Sequence, residues 1–142
     1  MRYLAESFVL GALRRGRRVE QFLGPCGPVE RPGVRHVEVR PRKTSYDVVL
    51  HTVEDVGHEG FMDLAEFPPL DPDDEANEFG RLLGTTEGPS AALALAERCT
   101  GAERDRWVNE GFAQDEYGDF VRAGRPWGAS PDGRPWPDAP DA

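Results

Sequence analysis

The sequence predicts an α+β domain: a three-stranded antiparallel meander with helices packed on one face, followed by a disordered C-terminal tail. Three observations predict it. Apolar residues alternate with period two through the middle of the chain, helical spacing flanks that region on both sides, and the last nineteen residues hold five prolines and three glycines.

Residues 4–13 place Leu4, Phe8, Val9 and Leu13 on one helical stripe. Val19, Phe22 and Leu23 repeat the i, i+3, i+4 spacing, so residues 18–23 read as a second short helix stopped by Gly24-Pro25. Residues 24–33, with three prolines, read as a loop. The period then changes. Val37 and Val39 alternate with His36, Glu38 and Arg40, and Tyr46–Val53 is β-branched and aliphatic. A Gly57–Gly60 turn leads to a third strand, Phe61–Phe67, ended by Pro68-Pro69.

Residues 70–78 read as a helix start with its acids at the positive end of the dipole, closed by Leu82 and Leu83. Residues 89–99 read as a helix with Pro89 in its first turn and Gly101 past its end. A longer helical pattern runs from Ala102 to about Ala123, interrupted at Gly111 and Gly118. Residues 1–123 thus read as one domain and residues 124–142 as the tail, with Trp127 and Trp136 as anchors.

Register sharpens the meander. Pairing Pro41 with Tyr46 sets Val39 against Val48, Val37 against Leu50 and His36 against His51. Pairing Val56 with Phe61 sets His51 against Glu66 and Leu50 against Phe67. Val37, Val39, Val48, Leu50, Val56, Phe61 and Phe67 then share the face that the helices cover. His36, His51 and Glu66 form a row on the opposite face, where two imidazoles and a carboxylate suit a divalent metal or acid–base chemistry.

Charge is divided unevenly along the chain, whose net charge is −9. Residues 1–43 carry ten of the seventeen Lys+Arg and four of the twenty-six Asp+Glu, a net of +6. Residues 44–142 carry seven and twenty-two, a net of −15. An acidic body repels phosphate backbones, which argues against nucleic acid, and suits a basic protein partner. The cluster Arg14, Arg15, Arg17, Arg18 reads as a solvated helix end rather than a phosphate contact.

No run of apolar residues is long enough for a membrane span, and the N-terminal stretch lacks the features of a signal peptide, which predicts the cytoplasm. Cys26 and Cys99 then read as free structural thiols. Sixteen arginines against one lysine point to a GC-rich bacterial genome.

No phosphate-binding loop, nucleophile elbow, His-Glu-x-x-His or Cys-x-x-Cys motif occurs, and no cofactor is expected. The leading functional expectation is a non-enzymatic protein-binding domain of inhibitor or immunity type acting on a basic partner. Its contacts would come from Asp71, Asp73, Asp74, Glu75 and Glu78 together with Trp127 and Trp136. The alternative is a small metal-dependent or acid–base enzyme built on His36, His51 and Glu66.

Overall fold

The β-hairpin at the centre of the sequence is the centre of the fold. In a computed structural model, which describes residues 2–71 and 80–137, β2 (Gly33–Pro41) pairs with β3 (Tyr46–Glu54) in the expected register. Pro41 faces Tyr46, Val39 faces Val48, Val37 faces Leu50 and His36 faces His51. Arg42 N–H donates to Ser45 O at 2.7 Å and closes the turn between them.

The sheet is larger than a three-stranded meander. Five antiparallel strands run in the order β4-β3-β2-β1-β5, with β1 at Val19–Cys26, β4 at Arg81–Thr86 and β5 at Val108–Asn109. Three helices complete the described fold: α1 (Glu6–Arg14), α2 (Pro89–Thr100) and α3 (Ala113–Arg122).

Several expectations are corrected. Residues 19–26 form a strand, not a helix and loop, because β1 is buried on both faces and shows no alternation of apolar and polar residues. Pro25 is tolerated there because β5 pairs with Val19 and Glu20 alone, leaving that flank of β1 with no further strand among the described residues. Residues 61–67 form no strand. They make one bridge, His58 to Phe61, and a 3-10 turn at Leu64–Glu66 that Asp63 caps through Ala65 N–H at 3.1 Å. β4 takes the place beside β3 and contains Leu82 and Leu83. Apart from Leu70 and Asp71, the helix expected at 70–78 lies outside the described residues.

The helices cover both faces of the sheet rather than one. Val9, Ala12 and Leu13 of α1 and Ala92, Leu93 and Ala96 of α2 pack with Val19, Val37, Val39, Val48 and Trp107 on the first face. Pro89 opens α2, where a missing N–H is harmless, and Gly101 ends it in the left-handed conformation (φ 77°). On the second face Ala113, Tyr117 and Phe120, at i, i+4 and i+7 of α3, pack with Phe22, Val34, Val53, Leu64 and Phe67. Phe67 therefore belongs to the opposite face from the one expected, and Val56 and Phe61 are exposed. The helical pattern from Ala102 is also interrupted as a strand and turn before α3 begins, with Gly111 at φ 91°.

The described part of the C-terminal segment drapes over this second cluster instead of standing free. Trp136 meets Phe22 and Phe120 edge-on at 5.7 and 5.8 Å, and its indole N–H donates to Pro126 O at 2.9 Å. Among the described residues no helix is long and apolar enough to cross a membrane.

Candidate functional site

α3 lies against β1 and leaves the middle of β2 and β3 uncovered on the second face. A cleft of about 410 Å³ opens there. Alternation along the strands supplies its floor: Glu20 from β1, His36, Glu38 and Arg40 from β2, His51 and Val53 from β3. The chain around the 3-10 turn walls one side with Asp63 and Leu64, and the turn between β5 and α3 walls the other with Glu110 and Gly111.

Two devices fix those walls. Tyr117 O–H donates to Asp55 Oδ1 at 2.5 Å and accepts from Gly57 N–H at 3.0 Å. Arg125 donates to Asp55 Oδ2 at 2.9 Å and to Gly57 O, so the connection leaving β3 is tied to α3. On the other side, α3 has no side-chain cap of its own. Glu20 supplies one from β1, accepting from Gly111 N–H at 2.8 Å and Ala113 N–H at 3.1 Å. Burial pushes the Glu20 carboxyl up despite these two bonds.

The floor is an ordered set of charges. The rings of His36 and His51 stack at 4.6 Å with 12° between their planes. Glu38 lies diagonally across from His51, with Oε1 at 3.4 Å from its Nε2, and also accepts from Arg40. Arg18 reaches Glu38 at 3.9 Å and Glu110 at 3.6 Å. Burial disfavours the Glu38 carboxylate, but the hydrogen bond and charge of His51 and the charge of Arg40 outweigh it and bring its pKa down to about 2. Burial, reinforced by the His51 charge, pushes His36 down to about 3, so it is neutral at neutral pH. His36 Nδ1 and Arg40 Nε are buried without a hydrogen-bond partner among the described residues.

These shifts make a pH prediction. An unfolded histidine titrates near 6.5, so between about 6.5 and 3 the unfolded state holds the proton that folded His36 refuses. His36 thus withdraws stability as pH falls through that window, and Glu38 does so between 4.5 and about 2. Glu20 and Glu116, both pushed up by burial, act in the opposite sense. The comparison of wild type with His36→Gln isolates the histidine. In urea titrations the variant should gain on wild type by up to about 1.4 kcal/mol per pH unit as pH is lowered from 6 to 4. A difference independent of pH would contradict the assignment.

His36 and His51 come together as expected, but Glu66 does not join them. It is exposed in the 3-10 turn and outside the cleft lining, and Glu38 is the carboxylate at the imidazoles. Strand parity alone identifies Glu38, two residues after His36 on the same face. Among the described residues no group of three or more His, Cys, Asp or Glu side chains is arranged to hold a metal ion.

The expected partner contacts are scattered. Asp71 is exposed, Trp127 is 47% exposed and Trp136 is engaged in the protein's own interior. Asp73, Asp74, Glu75 and Glu78 lie outside the described residues. Cys26 and Cys99 are free thiols, and burial pushes the Cys26 thiol up, away from reactivity. Among the described residues no serine, threonine or cysteine lines the cleft. Comparison of the chain with family models, with curated proteins and with solved structures finds no match in any of the three.

Proposed function

We propose that the chain is a non-catalytic protein-binding domain of inhibitor or immunity type, whose uncovered sheet face docks a basic surface of a partner. One observation carries the reading. Residues 44–80 contain eleven Asp+Glu and no Lys or Arg, and the connection that walls the cleft belongs to that stretch. Asp63 lines the cleft, and Glu59, Glu66 and Asp71 are exposed around the same connection. A field of one sign beside a concave face steers and orients a partner of the other sign.

Affinity capture from native lysate tests it, with wild type compared with Asp63→Arg/Glu66→Arg/Asp71→Arg. A basic protein held by wild type, released at about 1 M salt where screening acts within about 3 Å, and lost by the variant is the expected result. Equal recovery by the variant counts against the acidic face.

The contact between His51 and Glu38 favours a second reading, an acid–base enzyme in which Glu38 orients His51 as a general base. Its discriminating result is a pH-dependent turnover abolished by His51→Gln while partner capture persists.

A further inference from the structure

We infer that the groove between α1 and the turn leading into α3 is a second docking site of opposite sign, for an acidic partner segment carrying an aromatic or aliphatic side chain. This groove, of about 540 Å³, adjoins the cleft, and the Arg18–Glu110 ion pair at 3.6 Å belongs to the lining of both. It does not depend on the reading of the cleft.

Helical spacing builds one wall. Phe8 and Ala12 stand at i and i+4 on one side of α1 and Arg15, the C-cap, follows them, with the small Ala12 forming the floor between a phenylalanine and an arginine. The opposite wall is Phe112, set by the turn in which its N–H donates to Asn109 O at 3.0 Å. Phe8 is 66% exposed and Phe112 is 46% exposed, although Phe8 sits on the helical stripe that the sequence pattern assigns to the core. A lone exposed apolar side chain needs no explanation, but two aromatic walls facing one groove do.

The charge of the groove points the same way. Arg15 and Arg17 are exposed and form no ion pair among the described residues, and Arg18 closes the end nearest the cleft. The helix dipole accounts for a cation in the last turn of α1, but Arg17 and Arg18 lie beyond the helix end. Phenylalanine and arginine are both enriched at protein interfaces relative to the rest of the surface. The occupant that complements them is a segment with two or more carboxylates flanking an apolar side chain. A long polyanion such as single-stranded nucleic acid fits less well, because it would also run against the −15 carried by residues 44–142.

The test is selection of peptides from a random displayed library on the full chain, with counter-selection on Phe8→Ala/Arg15→Glu/Arg17→Glu. Because all three side chains are exposed, the triple substitution should keep the wild-type melting curve, and Arg15→Glu/Arg17→Glu serves if it does not. Expected are enriched peptides of net negative charge with an aromatic or aliphatic residue, binding the substituted protein at least about tenfold more weakly than wild type. Their affinity should be unchanged in Asp63→Arg/Glu66→Arg/Asp71→Arg, which separates this site from the acidic face. Three results would each overturn the inference: enrichment of neutral or basic peptides, equal enrichment on wild type and on the substituted protein, or tighter binding of an oligothymidine strand than of any peptide.

Discussion

Replacing Trp107 with alanine should lower the free energy of unfolding by about 3–5 kcal/mol. Trp107 is wholly buried among Val9, Leu13, Leu93 and Ala96. Its carbonyl accepts from Leu4 N–H at 2.9 Å, so it fastens the N-terminal segment to the strand that leads into Glu110 and Gly111. A loss of that size is a large part of the stability of an ordinary domain. Trp107→Phe should cost much less. It leaves a smaller cavity, and it removes an indole N–H that is buried without an acceptor among the described residues. Urea unfolding of both variants checks the pair. If phenylalanine costs as much as alanine, the packing account of this core is wrong.

Gly24→Ala should cost about 2–5 kcal/mol, from two separate causes. Gly24 has φ 89°, where a side chain collides with its own backbone at a cost of about 1–2 kcal/mol. A Cβ there would also lie 2.4 Å from Trp136 Cδ2, and overpacking of that kind costs about 1–3 kcal/mol. A double-mutant cycle separates them. In a Trp136→Ala background the cost of Gly24→Ala should fall to the backbone part alone, about 1–2 kcal/mol. Strict additivity would mean that Trp136 is not seated over Gly24, and the docking of the C-terminal segment would fall with it.

The hairpin of β2 and β3 was legible in the sequence to the residue, because alternation on β2, a β-branched run on β3 and a four-residue turn together fix its register. α2 was legible for a similar reason: Pro89, the alanine-leucine run and Gly101 all state the same element. β1 was hidden because neighbours bury it on both faces, so the period-two signal vanishes and Val19, Phe22 and Leu23 mimic a helix. The third strand failed for a tertiary reason. Phe61 and Phe67 turn away from β3 and join the aromatic cluster, with Phe67 5.1 Å from Phe61 and 5.2 Å from Tyr117. No local pattern reports that preference.

The candidate site was half legible. Register gave the His36–His51 contact, and the wrong third strand supplied Glu66 where the same parity rule offers Glu38. Phe8 looks like a core residue from spacing, and only the packing of α1 shows that it faces outward.

The central claim, that the connection walling the cleft is a docking surface for a basic partner, is tested most directly by association kinetics. The captured partner is mixed with wild type and with Asp63→Arg/Glu66→Arg/Asp71→Arg across a range of salt concentrations. Wild type should associate at least about tenfold faster than the variant at low salt, and the two rates should converge as salt rises. Equal rates at low salt, with the same salt dependence for both proteins, would contradict the claim.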